Sequence, residues 1–251
     1  MTHIPRTRRQ ARWLLGLSLT VLTHTFAMAQ AGGGACGDLA NGYGPYDSRT
    51  DQDKLPIVLD AHFTQAVESL SRGNTSHKPG PDIDYTLRAI PNHPRALIAM
   101  MRLGVKEKTQ QPSGSKYTVE CWFDRAIRFR PKDRIVRIIY STYLKDNGRV
   151  ADAIKQLEVA TILAEDSAFT HYNIGLHYFD LKNYDKALAQ AHKAMALGFP
   201  QAVLQEQLHR VGKWVDPTTT TTSAAATAAA SQETPANAPE TPQNDVNASG
   251  N

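Results

Sequence analysis

The sequence predicts an all-α fold of stacked helical hairpins, and three observations carry that expectation. Ala153 and Ala160 recur as Ala187 and Ala194, each pair offset by 34 residues. Small residues at a fixed period of this length mark a helical repeat array, whose units bury their apolar faces on one another. Residues 200–214 carry the spacing of an amphipathic helix, as a cap on such an array requires. Gly198 followed by Pro200 supplies the stop signal between the last repeat and that cap.

Residues 1–29 read as a secretory signal peptide. Arg6, Arg8, Arg9 and Arg12 precede an apolar run from Trp13 to about Leu22, and Ala27-Met28-Ala29 before Gln30 is an A-x-A cleavage pattern. The run falls short of the roughly 20 apolar residues that a spanning helix needs. Cleavage after Ala29 changes the charge argument, because the formal +4 of the whole chain equals the four arginines removed. The mature protein is then near neutral, so a sequence pI of about 9.0 gives no reason to expect nucleic acid. No other stretch is apolar for long enough to span a bilayer. The expected location is therefore the periplasm, with no transmembrane segment in the mature chain.

Residues 30–57 form an irregular N-terminal segment, rich in Gly, Pro and Asp between Cys36 and Lys54. The chain has two cysteines, Cys36 and Cys121. An even count in an oxidising compartment favours a disulfide between them. On its helix Cys121 lies opposite Val119, Phe123 and Ala126, so a bridge would tie the N-terminal segment as a strap across the outside of a hairpin. The alternative is lipid attachment at Cys36, although Gly33 stands where that signal needs a large aliphatic residue.

Residues 58–215 form the repeat domain. Residues 59–72 and 83–90 read as two helices of a degenerate first hairpin. Residues 95–106 form the first helix of the next unit. The polar stretch 107–115 separates it, as an exposed insertion, from a second helix carrying Val119, Phe123 and Ala126. Two regular units follow, at 134–167 and 168–201. Gly175 on one helix and Ala187 on the next let two backbones approach closely. Ala194 does the same towards the following element, and Ala126, Ala153 and Ala160 occupy equivalent packing positions.

The run from Tyr172 to Ala194 resembles a tetratricopeptide repeat (TPR), matching its pattern at Ile174, Gly175, Tyr178, Tyr184, Ala187 and Ala194. The preceding unit fits the same register with Tyr140, Ser141, Leu144, Gly148, Ala153, Leu157 and Ala160, and the one before it with Val119, Phe123, Ala126 and Pro131. His171 departs from the pattern, which has Trp there. The resemblance covers about half of the chain, residues 94–214. Together with the segments at 36–48, 84–97 and 119–131, it is similar to a group of exported proteobacterial TPR proteins.

This resemblance implies a TPR-type solenoid whose first helices line a concave, peptide-gripping groove. Carried over by position, the groove residues are Ile98, Arg102, Ile138, Thr142, Tyr172, Leu176 and Phe179. The implied function is a periplasmic scaffold or adaptor that binds a peptide or another envelope protein, with no cofactor, no metal and no covalent chemistry. The alternative is an accessory or hydrolytic enzyme of the cell envelope, with its site near residues 47–62. Two clusters bear on that alternative. Asp47, Asp51 and Asp53 have the look of a calcium loop, but Arg49 stands where a ligand belongs. His171 and His192 face one another only if the hairpin brings them together.

Residues 216–251 form a low-complexity tail of Thr, Ala, Pro, Gln and Asn. It has too few large apolar side chains to offset the entropy of ordering, so disorder is expected. Its composition resembles the acceptor segments of O-glycosylated exported bacterial proteins; the alternative, which the composition favours, is a bare flexible tail.

Overall fold

The computed structural model describes residue 1, residues 34–199 and residues 202–217. The expected signal peptide, and the tail beyond residue 217, lie outside the described residues. Among the described residues all regular structure is helical, with ten α-helices and a short 3-10 turn at Gln52–Lys54. They fall into two compact units, Met1–Leu163 and Ala164–Asn251.

The first unit opens with a strap, residues 34–51, that has no helix. Two short helices follow, α1 (Pro56–His62) and α2 (Gln65–Glu68). One continuous helix was expected over 59–72, and the chain breaks it at Phe63. There φ is −131° and ψ is 47°, which turns the Phe63 ring into the core against His93, with ring centroids 5.2 Å apart. Thr64 then adopts extended backbone and starts α2. Helix α3 (Gly80–Ala89) begins three residues earlier than expected, with Pro81 in its first turn, where the missing N–H costs no hydrogen bond. It packs on α1 and on α4, so the N-terminal part is a small cluster and not a hairpin of two long helices.

Helix α4 (Pro94–Glu107) is capped by His93, whose Nδ1 accepts the Ala96 N–H at 3.1 Å. It buries Leu97, Met100 and Leu103 and ends at Lys108, which takes the left-handed conformation. Residues 108–118 then fold back and do not extend into solvent as expected. Lys116 N–H donates to Asp84 at 2.7 Å, Trp122 Nε1–H donates to the Ser115 hydroxyl at 2.9 Å, and Pro112 and Ser115 are buried. Gly80 allows this close return, because a Cβ there would lie 2.0 Å from the Ser113 carbonyl oxygen.

Three helices complete the unit: α5 (Val119–Phe129), α6 (Arg134–Asp146) and α7 (Val150–Ala164). Thr118 caps α5 and Asp133 caps α6, each accepting backbone N–H groups of the first turn. Helix α4 packs on α5 and α6, and α5 packs on α6. Ala126, Ala153 and Ala160 are all fully buried.

The second unit holds α8 (Ala168–Asp180), α9 (Tyr184–Ala196) and α10 (Val203–Arg210). Helices α8 and α9 form a tight antiparallel hairpin, and α10 lies against both. Ala187 and Ala194 are buried in it. A Cβ on Gly175 would come within 2.4 Å of Leu204 Cδ2 and 3.2 Å of Gln190 Cβ. The glycine therefore serves the cap as well as the hairpin. Helix α10 is shorter than the stretch expected over 200–214, but Leu204 and Leu208 anchor it by full burial.

Candidate functional site

In the first unit the expected groove positions separate into two kinds. Arg102 is exposed, and Ile98 and Thr142 are half-buried. Ile138 is only 7% exposed and belongs to the core, so it is removed from the groove set. The position carried over from the resemblance is not open here, because α6 packs against both α4 and α5.

In the second unit Tyr172, Leu176 and Phe179 are all half-buried. Tyr172 packs on Phe199 at 5.0 Å between ring centroids, and Phe179 packs on Tyr184 at 5.3 Å. These aromatic rings are thus partly occupied by neighbours from their own unit.

A recess of about 290 Å³ opens in the first unit where the C-terminal ends of α4 and α6 meet the 108–118 loop. Met101, Val105, Val119 and Tyr143 give it an apolar wall, and Lys108, Gln110, Asp146 and Asn147 give it a polar rim. Val105 is 72% exposed, a large apolar side chain left in water on the first helix of a hairpin. Gly104 permits the loop to press close here, since a Cβ would sit 3.0 Å from the Thr109 carbonyl and from Val119 Cγ2. The lining of the recess includes Met101 and Tyr143, the sequence neighbours of Arg102 and Thr142, together with residues of the 108–118 loop.

The strap is fixed across α5. Cys36 and Cys121 form a disulfide, with Cα atoms 4.9 Å apart, as expected from the cysteine count. That bond uses the Cys36 sulfur and leaves it unable to carry a lipid thioether. Arg125, one turn after Cys121, is 1% exposed and donates to the carbonyls of Cys36 and Asp38, while Arg128 donates to that of Gly37. The Arg125 guanidinium lies over the Tyr117 ring at 4.7 Å and the Trp122 ring at 5.4 Å. Burial lowers its pKa from the usual arginine value. Sequence reasoning missed Arg125. Its signal is its place three residues after Trp122, on the buried face, where a cation is out of pattern.

The carboxylates near the N-terminus serve structure. Asn92, fully buried, donates from Nδ2 to Asp47 at 2.9 Å and to Asp133 at 3.0 Å. Arg130 Nε donates to Asp47 at 2.6 Å and Arg49 Nη2 to Asp133 at 2.9 Å. Burial pushes the Asp47 carboxyl up, but the bonds from Asn92 and Arg130 outweigh it and hold the group below the usual range. The calcium-loop pattern is thereby explained otherwise, since Asp47 is taken by cations and amides and Asp51 accepts the Asp47 N–H at 2.7 Å. Among the described residues no cluster of three or more His, Cys, Asp or Glu side chains is placed to hold a metal.

Asp82, fully buried at the start of α3, accepts from His62 Nδ1 at 3.0 Å, from the Thr75 hydroxyl and from the Asn74 N–H at 2.7 Å. Burial raises its pKa, and the bonds from Thr75 and His62 more than reverse that. The pair has the carboxylate–imidazole half of a catalytic arrangement. Its other half is missing, because the Thr75 hydroxyl is bound to Asp82 and no Ser, Thr or Cys side chain among the described residues bonds the imidazole. His171 and His192 are also separately engaged. His171 meets Gln190 and the Glu165 carbonyl, each at 2.7 Å, while His192 meets the Val215 carbonyl at 2.8 Å and packs on Trp214.

Among the described residues no helix is long and apolar enough to cross a membrane. In comparison with known proteins, no family model matches the chain and no curated protein is similar to it at a significant level.

Proposed function

We propose that the chain is an exported TPR-type scaffold that binds a peptide or protein of the cell envelope. The observation that carries the proposal is the recess between α4, α6 and the 108–118 loop, with exposed Val105 on its wall. Its lining suits a partner segment that inserts one apolar side chain and hydrogen-bonds to a polar rim. The internal disulfide and the order of charges at the N-terminus support export to the periplasm.

The test places a photo-crosslinking amino acid at position 105 in the living cell, with the same probe at position 155 as control. A discrete adduct from position 105 alone is the expected result. Identical adducts from both positions, or none from position 105, dispose of the recess as the contact. Sequencing the mature N-terminus checks the export step, with Gln30 as the expected first residue.

A further inference from the structure

The turn between α5 and α6 is rich in positive charge. Arg125 and Arg128 hold the strap, and Arg137 bonds Gln156 and the Pro131 carbonyl, while Arg130 and Lys132 lie on a cavity apart from the recess at Val105. Between Arg125 and Arg137 the sequence holds six cations against the single carboxylate of Asp133. Beside this turn a second cavity of about 350 Å³ is lined by Arg49, Phe129, Arg130, Pro131, Lys132 and Asp133.

The arginines on this cavity are held in place from beneath. Asp47 takes Arg130 Nε, the Asn92 amide and the Arg49 N–H, while Asp133 takes Arg49 Nη2, the Asn92 amide and the N–H groups of Ile135 and Val136. Both carboxylates are buried and spent on these bonds. The arginines stay partly open to solvent. Their side chains are 44–45% exposed; Arg49 meets Asp133 through Nη2 and Asp47 through Nε, and among the described residues Arg130 meets a carboxylate only through Nε, at Asp47. Phe129 supports the Arg130 guanidinium from below at 4.5 Å. Lys132, on the rim, is exposed and has no hydrogen-bond or ion-pair partner among the described residues.

We propose that this cavity binds a phosphate oxyanion through Arg49, Arg130 and Lys132. Arg49, Arg130 and the exposed Lys132 set three cations against the two carboxylates of Asp47 and Asp133, and the remaining donors with their net positive charge suit a phosphate. The apolar wall of Phe129 and Pro131 leaves room for whatever the phosphate is attached to. The anion comes either as a soluble phosphate ester or as a lipid headgroup, and the two are distinguished by experiment.

The mature, disulfide-bonded chain is titrated with inorganic phosphate and with glycerol 1-phosphate by calorimetry. It is also sedimented with phosphatidylglycerol vesicles and with phosphatidylcholine vesicles. Saturable binding that weakens with added salt is expected. Lys132→Glu should weaken it about tenfold or more, equivalent to ~1.4 kcal/mol. Lys155→Glu, the same charge change on α7, should leave it within about twofold. Arg130→Lys keeps the charge without the fork and should fall between the two. Circular dichroism confirms the fold of each variant. Binding to phosphatidylglycerol vesicles without binding to soluble phosphates, with the same order of variants, assigns the anion to a headgroup. Equal loss in Lys132→Glu and Lys155→Glu, or no saturable binding in any arm, overturns the proposal.

Discussion

His93 shows how much one side chain decides locally. Its position before Pro94 makes it the N-cap of α4, and burial then holds its imidazole neutral, with the pKa lowered to about 4 from an ordinary 6.5. The neutral ring is required, because Nδ1 must accept the Ala96 N–H. A histidine whose folded pKa is depressed contributes stability that is fully present above pH 6.5. That contribution is lost as the pH falls towards about 4, since the unfolded chain binds the proton first. The expected loss across this interval is on the order of 3 kcal/mol. His93→Asn keeps a capping oxygen and carries no titrating group. Urea midpoints taken at several pH values should therefore lose their slope between 6.5 and 4 in the variant, while the parent keeps it. Asn92, next to it, fixes Ser48 as well as the two carboxylates, with Ser48 N–H donating to its side-chain oxygen at 3.0 Å. The two roles differ in how far the sequence can reveal them. A cap before Pro94 follows from local rules, but an amide that joins residues 47 and 133 depends on contacts more than forty residues apart.

At the scale of elements, the regular hairpins were the legible part. The 34-residue offset placed α7 and α9, and Gly175, Ala187 and Ala194 fell where close packing needs small side chains. Periodicity reports burial on one face, and it served where a helix has one buried face. It merged α1 with α2, where one buried Phe63 interrupts the helix, while Ile138, carried over from the resemblance, sits on a helix packed by both α4 and α5. The 108–118 loop was visible only as a polar stretch, although Ser115 is an internal partner of Trp122. Polar composition marks a loop but does not say which side chains return to the core. The strap is the element whose energetic role is easiest to measure. Its bridge closes a span of 85 residues, which favours the folded state by about 2–4 kcal/mol relative to the open chain. Replacing both Cys36 and Cys121 by Ser should lower the urea midpoint accordingly and speed proteolysis of residues 34–50. An unchanged midpoint and unchanged cleavage would show that Arg125 and Arg128 hold the strap unaided.

Across the whole molecule, several carboxylates are held below their ordinary pKa by the folded structure. Asp47, Asp82 and Glu120 are each pushed up by burial and brought down further by hydrogen bonds, for Glu120 from Tyr140 and Arg149. Depressed carboxylates contribute stability that is present above the unfolded value near 4. It is lost as the pH falls through their folded values. Acid should therefore unfold the protein on a limb steeper than His93 alone produces. Asp82→Asn lowers stability at neutral pH by weakening the bonds from His62 and Thr75, yet it should flatten the limb below pH 4. Thermal scans between pH 2.5 and 7 check both signs in one series.

The Cys36–Cys121 bridge also sets a schedule. The strap is made before α5, and the cysteine that seats it is synthesised 85 residues after Cys36. At about 5–20 residues per second that interval is roughly 4–17 s. Throughout it Cys36 is a thiol without its partner, and the carbonyls that Arg125 will hold have only water to bond. The strap, made before its seat, is thus among the later segments to find its place.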